Sequence, residues 1–222
     1  MEIRSTFHKK LDEIQDDVLV MGRTVSEAVR LSMDALISKD LDLAKRIITG
    51  DQKINDKRFE IEEKCIYLIA TQQPIANDLR IIVAVLNIIT EVERIGDYAE
   101  GIAKIAIMIG DEPLLKPLVD IPHMAELAVN MLQRSLDAFI SQDAETARKI
   151  CDDDDAVDSL YERVFQELLN FMMEDPTTVT RATRLIWVAH DLERSADRVT
   201  NICERVVFLV TGKMEEIRAS KY

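Results

Sequence analysis

The chain has 222 residues and a formal net charge of −13, because 28 Lys and Arg residues stand against 41 Asp and Glu residues. An acidic surface of this kind repels phosphate backbones, so nucleic acid is not an expected partner. Hydrophobic residues make up 47% and charged residues 31%, whereas there are only 6 Gly and 5 Pro. This composition favours long helices over an all-β fold.

The first half of the sequence predicts three helices. Apolar residues recur at helical spacing over Phe7–Ile37, which indicates one long amphipathic helix. Asp40 is placed as the N-cap of a second helix over about Leu41–Thr71. Pro74 then opens a third helix that continues to Ile109, and Gly110 is placed to end it.

A linker is predicted to follow, because the stretch GDEPLLKPLVDIP holds three of the five prolines and cannot continue a helix. After it, the helical pattern resumes, with Asp175 as the N-cap of the last helix. The three helices are expected over about residues 123–140, 143–173 and 176–217. The predicted division is therefore a first unit over 1–110, a linker over 111–122 and a second unit over 123–222.

The second unit repeats the first. The stretch Ser32–Ala35 matches Ser135–Ala138 at an offset of 103, and the block Glu93, Arg94 and Asp97 recurs in the second unit at an offset of 100. An internal duplication of a three-helix unit explains both offsets. We therefore predict an all-α protein of two tandem three-helix bundles.

Each repeat carries the motif Glu-Arg-x-x-Asp, in which the two acids are four residues apart and so share one helix face. Stacked carboxylates repel one another, and a cation with a preference for oxygen ligands would relieve that repulsion. A solvated acidic face is the alternative, because Arg94 and Arg194 can pair with acids three residues away.

Three further features are left without an assigned role. Acids and an amide recur on the preceding helix of each repeat, at Asp51 and Asn55 in the first and at Asp154 and Asp158 in the second. Neighbouring helices could bring these residues beside the motif. His190 lies on the same face as Glu193, where it either adds a nitrogen ligand or bonds locally.

The stretches ANDLRIIVAVLNIITEVERIGDYAEGIAK and LIWVAHDLERSADRVTNICE resemble the two signature helices of the PhoU family, and the similarity covers nearly the whole chain. The resemblance implies an iron or zinc site, or a site for another divalent cation. Its ligands would be Glu93, Asp97, Glu193, Asp197 and Asn201. The first repeat has Gly101 in place of Asn201, which leaves its site with one oxygen ligand fewer.

The resemblance also implies a cytoplasmic adaptor between the phosphate-specific ABC transporter ATPase and a sensor histidine kinase. It would silence the kinase when phosphate is plentiful and reach the membrane only through its partners. We expect no enzyme activity and no organic cofactor, because a long acidic helical surface without a catalytic pocket motif suits protein contacts better than chemistry. Neither a GxxxxGK[ST] nor a GxGxxG loop, which would bind phosphate or nucleotides, occurs.

Two other functions are considered. The first is a carboxylate-bridged metal-binding or metal-storage protein, although the ExxH motif of di-iron helical bundles does not occur in this sequence. The second is a structural helical module without metal, in which the acids only maintain solubility. Neither the metal nor the oligomeric state, a homodimer among the options, follows from the sequence.

Overall fold

The computed structural model describes residues 2–217, and the side chains from Thr6 onward. Within these residues the protein has six α-helices, one short 3-10 turn at Pro176–Thr178 and no β-strand. The helices are α1 (Glu2–Ser38), α2 (Leu41–Gln72), α3 (Ala76–Ile109), α4 (Asp120–Ser141), α5 (Ala144–Glu174) and α6 (Val179–Thr211). The all-α prediction is confirmed.

The six helices form two groups of three. In the first group α1, α2 and α3 contact one another, and in the second group α4, α5 and α6 do the same. The groups join through two pairs of equivalent helices, α3 with α6 and α1 with α4. The buried apolar side chains of both groups form one continuous core from Phe7 to Leu209. The tandem three-helix architecture follows from this arrangement.

The predicted division into 1–110, 111–122 and 123–222 remains a prediction. Met1 and residues 218–222, which that division includes, lie outside the described residues.

The equivalent helices α2 and α5 begin with equivalent caps. The Asp40 carboxylate accepts a hydrogen bond from the backbone N–H of Leu43 at 2.8 Å. The Asp143 carboxylate accepts from the N–H groups of Glu145 and Thr146, both at 3.0 Å. These bonds satisfy donors that lack a partner inside the helix, which is why the two helices start where the sequence predicts.

Five predicted helix ends are wrong. Helix α1 begins at Glu2 rather than Phe7. Helix α6 begins at Val179 rather than Pro176, because Pro176–Thr178 form a 3-10 turn that Asp175 caps. Helix α6 ends at Thr211 and not near Ile217, because Gly212 adopts a left-handed conformation with φ of 72°. Helix α4 begins at Asp120 rather than residue 123, since a proline is tolerated in the first turn, where N–H groups have no acceptor within the helix. Helix α3 begins at Ala76 rather than Pro74, after an extended Ile75.

The three cysteines are free and buried. No helix within residues 2–217 combines the length and the apolar character needed to cross a membrane.

Candidate metal-binding grooves

The motif of the second repeat lines a groove of about 1160 Å³ between α5 and α6. Its walls carry acids from both helices, and the chain after α6 contributes further acids. The lining carboxylates are Asp154, Asp155, Asp158, Glu162, Glu193, Asp197, Glu204, Glu215 and Glu216. Of the predicted ligands, Glu193, Asp197 and Asn201 all line this groove.

Glu193 is more deeply buried in this groove than Asp197, whose side chain is 34% exposed. The Glu193 side chain is only 13% exposed, and its Oε2 makes no hydrogen bond to any residue in the described part of the chain. The pKa of Glu193 is raised to about 7, first by burial and then by the negative charges of Asp197 and Asp158, against the opposing charge of Arg194. This carboxylate therefore lies where a positive charge would stabilise its ionised form.

His190 lies beside this carboxylate, with Nδ1 at 3.6 Å from Glu193 Oε2. Its ring also contacts Tyr161, at 6.2 Å between centroids. Burial, and then the charge of Arg194, lower the pKa of His190 and favour the neutral ring, which could donate a lone pair. Both roles considered for His190 are compatible with this position.

The other two predicted ligands of the second repeat are bound to neighbouring side chains. Arg194 donates to Asp197 Oδ2 at 2.7 Å, which is the local pairing that the solvated-face alternative predicts. The Asn201 amide donates to Glu91 Oε2 on α3 at 3.2 Å, and Arg198 lies 3.4 Å from the same oxygen. Asn201 thus links the groove to the contact between the two repeats.

The first repeat brings the corresponding acids together between α2 and α3. Glu93 is 18% exposed and lies 3.6 Å from Arg58 Nε. Asn55 donates to Asp51 Oδ2 at 2.8 Å, while the buried Asp51 Oδ1 has no hydrogen-bond partner among residues 2–217. Burial raises the pKa of Asp51, and the charge of Asp97 raises it further. The acids of α2 therefore lie beside the motif of α3.

Glycine at position 101 has a steric reason. A Cβ atom there would lie 2.9 Å from Asp191 Oδ2, so any larger residue would require the Asp191 carboxylate to move. Burial raises the pKa of Asp191 to about 6. The contact of Asp191 with Gly101 is equivalent to the one between Glu91 and Asn201. The two repeats exchange places in it, because position 101 corresponds to 201 and position 191 to 91.

Sequence reasoning did not assign Glu91 or Asp191 a role, nor did it place Glu204 in the groove. The offset of 100 that relates the two motifs also relates Glu91 to Asp191. Glu204 follows Asp197 by seven residues, which continues the same helix face. Both signals were available in the sequence, whereas the return of Glu215 over the groove required the bend at Gly212.

The donor set is compatible with a cation that prefers oxygen ligands. Two buried carboxylate oxygens, on Glu193 and Asp51, lack hydrogen-bond partners in the described part of the chain. However, no three His, Cys, Asp or Glu side chains of residues 2–217 converge closely enough to hold a metal ion. Coordination in the second repeat would require Asp197 to exchange Arg194 for the cation.

A family model described as the PhoU domain matches residues 18–106 and 121–206. The phosphate-specific transport system accessory protein PhoU homolog of Clostridium acetobutylicum is 40% identical over 215 residues, which span 96% of this chain and 98% of that protein. The crystal structure of PhoU from Pseudomonas aeruginosa matches with a TM-score of 0.88 and 35% identity, over 93% of this chain and 100% of that one.

The crystal structure of the phosphate transport system regulatory protein PhoU from Streptococcus pneumoniae also matches with a TM-score of 0.88, at 32% identity. This match covers 95% of the present chain and 99% of the other. Sequence and fold agree along both repeats, and the chain therefore belongs to the PhoU family.

Proposed function

We propose that this protein is a cytoplasmic regulator of phosphate uptake and phosphate-starvation signalling. It acts as an adaptor between the ATPase of the phosphate-specific ABC transporter and a sensor histidine kinase. The observation that carries the proposal is the similarity along both repeats to accessory proteins of the phosphate-specific transport system. Regulation through protein contacts, rather than catalysis, is the role that such an accessory protein would perform.

The charge of the molecule supports this role. A net charge of −13 on a single continuous core presents an acidic surface that attracts basic partner surfaces. Electrostatic attraction accelerates association more than it increases affinity, and it weakens as salt screens the charges over about 8 to 10 Å. Binding to the transporter ATPase and to the kinase should therefore be faster at low salt.

The experiment measures association of the purified protein with the immobilised ATPase and with the cytoplasmic part of the kinase, at low and at physiological salt. We expect binding to both partners, with an association rate that falls as salt rises. A folded control protein of similar size and net charge separates specific binding from general attraction. If the protein binds neither the ATPase nor the kinase at low salt, the adaptor proposal is overturned.

We also propose that the groove between α5 and α6 binds a divalent cation such as iron or zinc through Glu193 and Asp197, with Asn201 at its edge. The buried, unpartnered Glu193 oxygen supports this proposal. The first-repeat residues Glu93 and Asp97 would form a second and weaker site. The bound cation would supply positive charge, which lowers the repulsion among these carboxylates and favours their ionised form.

The metal-storage alternative makes a different prediction from a regulatory site. A regulatory metal-binding site saturates once each site holds its cation, whereas a storage protein continues to accumulate ions in the presence of excess metal. Titration with iron(II) under anaerobic conditions, followed by elemental analysis, separates the two.

A further inference from the structure

A second groove, of about 490 Å³, lies in the first repeat and differs from the acidic grooves in its lining. Its apolar side chains come from α1 and α2, with part of α3 at one edge. They are Ala28, Leu31, Leu43, Ile47 and Ile54. Leu31 and Leu43 are only partly buried, so the groove exposes apolar surface to solvent.

In the second repeat, a salt bridge spans the position that is equivalent to this groove. At the offset of 103, Leu31 corresponds to Arg134 on α4, and Gly50 corresponds to Asp153 on α5. Arg134 and Asp153 form a salt bridge of 2.5 Å between the two helices. The first repeat lacks both members of this bridge, and its groove is open.

Gly50 keeps the groove open. A Cβ atom at this position would have no other atom within 4 Å, so no steric constraint requires glycine there. Glycine inside a helix costs roughly 0.5 to 1 kcal/mol relative to alanine. Glycine at this position leaves free the space that a side chain would otherwise occupy in the groove.

The charges around the groove indicate which kind of ligand fits. Arg23, Arg46 and Lys53 line it, are exposed, and form no salt bridge with any residue in 2–217. The acids that line it are Glu27, Asp51 and Glu100. Glu100 is paired with Lys104 at 2.6 Å, whereas Asp51 is bonded to the uncharged amide of Asn55 and keeps its negative charge. The three basic side chains therefore face two acids without a cationic partner, Glu27 and Asp51.

We propose that this groove binds an acidic peptide segment of a partner protein, one that carries apolar side chains. The apolar side chains would enter the space above Gly50, and the acids would pair with Arg23, Arg46 and Lys53. Such a docking site deepens the proposed adaptor function, on which the identity of the partner rests. The second repeat does not offer it, so the two repeats would bind different partners.

The test measures binding of a short fluorescent peptide that combines Asp and Glu with Leu and Phe, by fluorescence anisotropy with the full chain. Two control peptides replace every acid by Lys, or every Leu and Phe by Ser. We expect the acidic apolar peptide to bind and both controls to bind at least about tenfold more weakly. Equal binding of the Lys peptide, or no binding of the acidic peptide, would overturn the proposal.

The matched variant copies the second repeat into the first, as Leu31→Arg with Gly50→Asp. It should fold, because the same pair closes the equivalent position between α4 and α5, and circular dichroism checks this. We expect it to weaken peptide binding by about tenfold or more, while Glu145→Ala, an exposed change on α5 outside the groove, binds like the parent. Unchanged affinity in a folded double variant would contradict the assignment.

If this double variant does not fold, a triple variant provides a second test. It combines Arg23→Gln, Arg46→Gln and Lys53→Gln. These exposed side chains contribute little to folding, and their loss should weaken binding and reduce its salt dependence. Sedimentation of the parent and the variants tests whether a second copy occupies the groove, and a change in oligomeric state would overturn the peptide assignment. Because this assay uses the isolated chain, its failure leaves the binding results for the ATPase and the kinase unaffected.

Discussion

Burial of the Glu193 carboxylate destabilises its ionised form, which a bound cation would stabilise. Its ionised form has lost contact with water, and its Oε2 atom gains no hydrogen bond from the described residues in return. The nearest basic atoms include His190 Nδ1 at 3.6 Å, beyond hydrogen-bond distance. An acid in this position holds its proton more tightly than an exposed acid does.

The raised pKa of Glu193 makes stability depend on pH. Its pKa rises from the ordinary 4.5 to about 7. The folded state therefore binds a proton more tightly than the unfolded chain does, and this contribution to stability is present below about pH 4.5 and lost as the pH rises through about 7. With chelator present, Glu193→Gln should exceed the parent in stability by about 1 to 3 kcal/mol near pH 8 and differ little near pH 4.5. Urea unfolding at both pH values measures the difference, and equal effects at both would contradict this prediction.

Metal retention depends on the same residue and its neighbour. Replacing Glu193 and Asp197 by Ala should abolish metal retention with little change in helicity, because neither side chain belongs to the apolar core. Elemental analysis of protein purified without chelator, together with circular dichroism, measures both properties. The matched control, Asp42→Ala with Glu145→Ala, removes the same charge from two exposed lysine pairs and should retain metal. Unchanged metal content in the groove variant would remove Glu193 and Asp197 from the site.

At the scale of the helices, two internal glycines have opposite roles. Gly22 on α1 is buried against α4, and a Cβ atom at this position would overlap Leu136 Cδ1. Gly50 on α2 faces open space. Close packing explains the first glycine, whereas no steric constraint requires the second.

This contrast predicts a difference in stability between two alanine variants. Both Gly22→Ala and Gly50→Ala gain the same helix propensity, but only Gly22→Ala overpacks a buried contact. Overpacking typically costs about 1 to 3 kcal/mol, so Gly22→Ala should be less stable than Gly50→Ala by that amount. Gly50→Ala should exceed the parent by about 0.5 to 1 kcal/mol. Denaturant unfolding of the three proteins provides the values, and equal stability of the two variants would contradict the packing seen at Gly22.

Helix positions were more predictable from the sequence than helix ends. Apolar periodicity placed all six helices, and Asp40 marked the start of α2 correctly because capping is a local interaction. Asp175, predicted as the N-cap of the last helix, caps the 3-10 turn that precedes α6. The end of α6 depended on the backbone of Gly212, and the apolar character of Ile217 wrongly favoured a longer helix. Ile217 instead donates its N–H to Glu204, which folds the segment back onto α6.

At the scale of the whole molecule, the duplication was visible in the sequence, and the pairing of the two copies was not. The offsets of 103 and 100 identify equivalent residues but do not show which helices meet. The contact of α3 with α6 places Asn201 against Glu91 and Asp191 against Gly101. The candidate site was therefore predicted as a set of acids on single helices, and its neighbours became apparent only in the fold.

The most direct test of the proposed regulatory function is the phosphate-starvation response of a strain that lacks this protein and has no other gene of the PhoU family. A starvation-responsive reporter is measured in high phosphate, in the deletion strain and in the same strain complemented with the full chain. The adaptor proposal predicts that the reporter stays on in the deletion strain, because the silencing contact between transporter and kinase is missing, and that complementation switches it off. Full repression in the deletion strain would contradict the account.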